Sequence, residues 1–180
     1  MQEASDSDVI VDYITGRTVP NLGAEANRQR LERYLVEQKG YRRADVRIDA
    51  PIDVEIADGV YRSTVDLVVQ IDGRPLMAIK CAAGSLGSRE REIIAAARLF
   101  GPSPLPLAAV SDGINATLLD VATGRKVGDG LAAIPNRTKA LELKQAQPLP
   151  RLADDRIAKE KLIFRSYDSM NVNVRRRKER

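Results

Sequence analysis

At 180 residues the chain has room for one domain and one core, and its 43% hydrophobic and 30% charged composition is that of an ordinary globular protein without an apolar run long enough to cross a bilayer. One cysteine and no histidine exclude a disulfide framework, zinc sites built on Cys or His, and imidazole catalysis; carboxylates, lysine, hydroxyls and oxygen-seeking metals such as Mg²⁺ remain. The net charge of +4 resides in residues 175–180, where five positive side chains meet one negative, so residues 1–174 are formally neutral with 24 charges of each sign.

The start, MQEASDSD, is acidic where a secretory signal would be basic and then apolar, and a cytoplasmic location is expected. Residues 1–7 read as disordered, and 8–15 as a short helix stopped by Gly16. A longer helix is expected over 21–39, with Ala24, Leu31, Tyr34 and Leu35 on one face at 3.6-type spacing and Gly40 at its end. Residues 46–56 alternate strictly, with Val46, Ile48, Ile52, Val54 and Ile56 on one side and charged residues opposite, which predicts a strand exposed on one face. Asp58-Gly59 turns the chain into a second strand, 61–71, whose half VDLVVQI is β-branched enough for a sheet interior. Asp72-Gly73 is a hairpin signal leading into PLMAIKCA, so the three runs form an antiparallel meander.

After the loop AGSLGS, Ser88 is the expected N-cap of a helix reaching Phe100, with Glu90 in its first turn. A Pro-rich connection leads to the strand PLAAVS, the turn Asp112-Gly113 and the strand NATLLDV, ending at Ala122-Thr123-Gly124. From Asn136, RTKALELKQAQ reads as a helix, PLP as a break and 154–165 as another helix. This order predicts an α/β domain, a mixed sheet with helices on its faces, over 1–135, with a C-terminal helical extension over 136–174 and a basic tail over 175–180.

The segments EANRQRLERYLVEQKGY, STVDLVVQIDGRPLMAIKCA, the Ala-rich helix and LAAVSDGINATLLDVATG, together covering about residues 25–127, resemble the N-terminal domain of type I restriction enzyme R subunits, one branch of the PD-(D/E)xK nucleases. The resemblance implies a restriction-endonuclease-like fold and a site built from a glutamate early in the first helix, an aspartate on one strand, an E-x-K on the next and a glutamine on the crossover helix. Clustered carboxylates there hold Mg²⁺ beside the scissile phosphate, while the lysine orients the attacking water. Carried over residue by residue, Glu25 takes the helical position and Asp66 the strand position. With the Asp-Gly hairpin as anchor, E-x-K falls on Lys80, Cys81 and Ala82, and the glutamine near Ala95. With the register slipped by two, Lys80 becomes the catalytic lysine and Ala78 stands where the glutamate belongs. In both registers the metal-binding glutamate is missing.

Each position also has a plainer reading. Asp66 lies in an apolar strand, where a charge needs a partner, and Lys80 across the hairpin can supply one. Glu25 can pair with Arg28 at i+3. Glu90 or Glu92 could act as a relocated ligand, or face solvent. Cys81, with no base in sight, reads as a small core residue, and AGSLGS offers only a weak phosphate-binding signal.

Three functions follow. The first is a DNA-associated nuclease homologue with little or no cleavage, taking no cofactor. The second is an active Mg²⁺-dependent endonuclease using Asp66, Lys80 and a relocated glutamate, with Asp66 and Glu25 as metal ligands. The third is a structural or oligomerising module that binds a protein partner or a second copy, with no membrane contact. The family usually carries a helicase-like motor after this domain; none is present in the sequence, so cleavage would be autonomous or delivered through a partner. Because the excess cations lie at 175–180, deleting those residues is expected to reduce both DNA affinity and its slope against log salt, measured by salt titration of binding.

Overall fold

A computed structural model of the chain describes the backbone over residues 9–178 and side chains over 9–170. The expectation for residues 1–7 and the side chains of the basic tail lie outside the described residues. In chain order the elements are β1 (Val9–Val11), β2 (Thr18–Pro20), α1 (Glu25–Glu37), β3 (Val46–Ile56), β4 (Gly59–Ile71), β5 (Arg74–Cys81), α2 (Glu90–Leu99), β6 (Leu107–Ser111), β7 (Ala116–Asp120), β8 (Arg125–Asp129), α3 (Arg137–Gln145) and α4 (Asp154–Lys178).

Strands β3 to β8 form one six-stranded sheet in sequence order. All neighbours are antiparallel except β5 and β6, which run parallel because α2 carries the chain back across the sheet between them. The meander β3–β4–β5 forms as its alternation predicts. At the β4–β5 turn both central residues, Asp72 (φ 47) and Gly73 (φ 79), are left-handed, which is the geometry of a type I′ turn whose twist matches the strands it joins. Helix α1 and the shorter α3 pack on one face of the sheet through Leu31, Leu35 and Ala140, against Leu67, Ile71 and Ile79. Helices α2 and α4 cover the other through Ile93, Ala96 and Phe164, against Val65, Val68 and Val110.

Five local expectations are corrected. Residues 8–15 are not helical: Val9–Val11 pairs with Thr18–Pro20. The side chain of Asp12 fixes the turn, Oδ1 accepting from the Thr15 N–H (2.7 Å) and hydroxyl (2.8 Å), and Gly16 follows at φ 71. The single apolar side expected for 46–56 divides at Asp49, a non-glycine residue at φ 44. Val46 and Ile48 pack with α1, whereas Ile52, Val54 and Ile56 pack with α2, because one left-handed residue turns the following side chains to the opposite face. Ser88 is not an N-cap; its hydroxyl donates to the Ser85 carbonyl, and α2 starts at Glu90 after a single 3-10 turn. Strand β8 was not expected, since RKVGD is charged and largely exposed, as befits a sheet edge. Helix α4 runs on to Lys178 rather than ending near residue 165.

The β6–β7 turn backs directly onto α1. Gly113 sits at φ +82, and a Cβ there would lie 2.6 Å from the Asn27 carbonyl oxygen. Gly113→Ala therefore combines a left-handed alanine with a backbone overlap that only displacement of α1 relieves. It is expected to destabilise the fold by more than about 2 kcal/mol, read as a lower denaturant midpoint at unchanged slope.

Candidate functional site

The pairing of Leu67 with Ile79 sets the next residues, Asp66 on β4 and Lys80 on β5, beside each other on the α2 side of the sheet. Lys80 Nζ lies 3.6 Å from Asp66 Oδ2 and 3.2 Å from Glu92 Oε1, the glutamate coming from the first turn of α2. Arg89 Nη1 reaches the other oxygen, Glu92 Oε2, at 3.2 Å. The Cys81 N–H donates to Asp66 Oδ2 at 2.8 Å. Thr64, Val65, Ile93, Ala96 and Phe164 wall this group, leaving the Lys80 and Asp66 side chains 14% exposed and Glu92 3%. Burial works against the Lys80 ammonium, but the charges of Asp66 and then Glu92 outweigh it and hold its pKa above the ordinary lysine value. Lys80 therefore remains charged at physiological pH.

The structure thus joins Asp66 and Lys80 to Glu92 and leaves Glu90 half-buried at the helix start. Ala78, Ala82 and Ala95 are buried among apolar neighbours on the same side. The Cys81 thiol is buried within the opposite core, and that burial raises its pKa well above the ordinary value, which suits a packing residue. Three further groups were missed by sequence reasoning: Arg89, and the pair Tyr61 and Asp168, in which the tyrosine hydroxyl donates to Asp168 Oδ2 at 2.7 Å. Asp168 also adds to the negative surroundings of Lys80. A sequence separation of 107 residues puts that contact beyond any local sequence pattern.

Glu25 belongs to a different cluster, on the α1 side. Its Oε1 accepts from Arg28 Nη2 (2.9 Å) and Gln29 Nε2 (2.7 Å). The same guanidinium lies 3.0 Å from Asp49 Oδ1, 3.4 Å from Asp12 Oδ2 and 3.6 Å from Glu32 Oε1, so four carboxylates surround one arginine. Burial opposes the Arg28 charge, yet Asp49 and Glu25 raise its pKa. Among the described residues no group of three or more His, Cys, Asp or Glu side chains is arranged to hold a metal ion. In both clusters a side-chain cation stands among the carboxylates, and neither donor set fits Mg²⁺.

The family described as type I restriction enzyme R protein N terminus matches residues 23–135, more than half of the chain. The matched segment runs from just before α1 past the end of β8, leaving β1, β2, α3 and α4 outside it. No curated protein and no solved structure matches the chain.

Glu32 is fully buried, and neither of its oxygens has a hydrogen-bond partner among the described residues. Burial first, and the negative charge of Asp12 second, raise its pKa from the ordinary 4.5 to about 8. A carboxyl raised in the folded state contributes stability that is fully present below about 4.5 and is lost as pH rises through about 8. Glu32→Gln is expected to remove that loss. Denaturation midpoints of the variant should stay flatter than those of wild type between pH 5 and 9, and parallel curves would refute the assignment.

Proposed function

The chain belongs to the family of type I restriction enzyme R protein N-terminal regions, and from that premise we propose that it is a DNA-associated member that does not cut, Lys80 having taken the place of the catalytic metal. The observation that carries this reading is the Lys80 ammonium, 3.2 Å from Glu92 and 3.6 Å from Asp66, where a divalent ion would have to bridge the two carboxylates. An ammonium about 4 Å from a divalent ion repels it by about 8 kcal/mol at an effective dielectric of 20, enough to defeat a weak metal site. Asp66 and Glu92 hold the Lys80 pKa above the ordinary lysine value, so the ammonium is the form these carboxylates favour. On the carried-over alignment the water-orienting lysine is replaced by Ala82, which is buried in the core cluster beneath α2. Association with DNA is supported by family membership and by the basic run at 175–180.

One observation favours a second reading. Glu92 reaches the site from α2 as a relocated glutamate would, so an active endonuclease would need only that Lys80 swing away. Two measurements separate them. Wild type is expected to give no Mg²⁺-dependent nicking of plasmid DNA, and Mn²⁺ is expected to leave its Tm unchanged. Lys80→Glu gathers three carboxylates without their cation, a break of a buried pair that costs about 3–5 kcal/mol. Its Tm should fall and then recover on adding Mn²⁺, because only the folded state binds the ion. Cleavage by wild type, or a Mn²⁺ shift in wild type that Asp66→Asn removes, would overturn the non-cutting reading.

A further inference from the structure

Helix α4 inverts the usual distribution of side chains on a packed helix. Its buried stripe is Glu160, Phe164 and Asp168, at i, i+4 and i+8 on one face, while Leu162 and Met170 stand 63% and 53% exposed. Ile163 packs against the core beside Phe164, and the two other residues of the stripe are carboxylates, each needing a partner on the body. Glu160 Oε1 pairs with Arg98 Nη1 of α2 at 2.6 Å, yet its Oε2 is buried with no hydrogen-bond partner among the described residues. Asp168 accepts from the Tyr61 hydroxyl, and between these two anchors the Phe164 ring meets Tyr61 edge-on at 6.3 Å. Phe164 forms one wall of the Asp66–Lys80–Glu92 site.

We propose that α4 is a detachable cover of this site, docked in cis by the Glu160–Phe164–Asp168 stripe and able to leave while the sheet stays folded. The proposal concerns access to the Lys80 site and rests on the reading that Lys80 is its resident cation. Three features support it. Buried ion pairs contribute specificity more than net stability, since apolar residues of the same volume often hold as well or better. The unsatisfied Glu160 oxygen weakens the docked state further. Finally, residues 146–153, which contain Pro148 and Pro150 and no regular structure, separate α4 from α3 and supply a joint about which it can swing. Beneath α4 the body keeps its own core, with Ile93 and Ala96 of α2 packed on Val68, Ala108 and Val110 of the sheet. Release would free the Tyr61 hydroxyl from Asp168 and uncover Lys80, which keeps Asp66 and Glu92 as its partners.

Native-state hydrogen exchange on the full chain, read by mass spectrometry, tests this directly. Amides of residues 154–170 are expected to be at least 100-fold less protected than those of β5 and β6. Asp168→Asn and Tyr61→Phe should each lower α4 protection by a further tenfold or more and leave β5 and β6 unchanged. Equal protection of α4 and the sheet would overturn the proposal, as would variants that loosen both together or leave α4 as in wild type. The outcome is separable from the non-cutting reading: cleavage by wild type would end that reading whatever α4 does, and α4 exchanging with the sheet would end this one whether or not DNA is cut.

Discussion

The Lys80 ammonium ties β5 to both of its partners on the α2 side of the sheet, to Asp66 on β4 and to Glu92 on α2. Three charges that would each be expensive to bury alone are tolerable together, and removing the lysine would set Asp66 and Glu92 against each other. That constraint reaches well past the three residues. Asp66 also accepts the Cys81 N–H, closing the end of β5, and Glu92 draws Arg89 across the start of α2. The crossover helix is therefore set against the sheet by charge at its first turn and by apolar packing along the rest of its length.

The two faces of the sheet repeat one electrostatic arrangement. On the α2 side, carboxylates converge on a lysine; on the α1 side, Asp12, Glu25, Glu32 and Asp49 converge on Arg28. Glu25 and Asp66 are divided between these clusters, each beside a cation of the chain itself. The α1-side cluster also fixes the chain's start, because Asp12 holds the turn after β1 and contacts Arg28 and Gln29. Acidic groups gathered around a fixed side chain organise a fold without taking up an ion from solvent, whereas the same groups around a hydrated ion would make stability depend on that ion.

Much of the sheet was legible in the sequence because its strands carry their own periodicity and its hairpins their own turn residues. The Asp72-Gly73 turn made β4 and β5 neighbours, but continued unshifted it would set Asp66 opposite Ile79; the irregularity between Val69 and Gln70 moves the register by one residue and brings Lys80 beside Asp66. Strand β8 was illegible because RKVGD has no apolar alternation to read, and it is a strand only because β7 offers it an edge. The extent of α4 was harder to read: beyond residue 165 the apolar positions Tyr167, Met170 and Val174 keep a helical i, i+3, i+7 spacing, but Ser, Asp and Asn between them are residues that favour caps and turns. At the site, the pairing of Glu25 with Arg28 and the candidacy of Glu92 could be read from spacing. Tyr61 with Asp168 and Arg98 with Glu160 could not, because tertiary packing joins residues with no local relation. Asp49 is the subtlest case, since a left-handed backbone within a strand leaves no mark on composition.

The two margins of the sheet differ in kind from its interior. Strand β3 presents Pro51, Asp53 and Glu55 outward, and β8 presents Arg125, Lys126 and Asp129. Proline and charge at such margins deter a second chain from adding its own strand, the usual route by which an open sheet grows into a continuous ribbon. Edge-to-edge growth is thereby disfavoured where these side chains stand. Among the described residues, α4 is the helix that already leaves large apolar side chains in water.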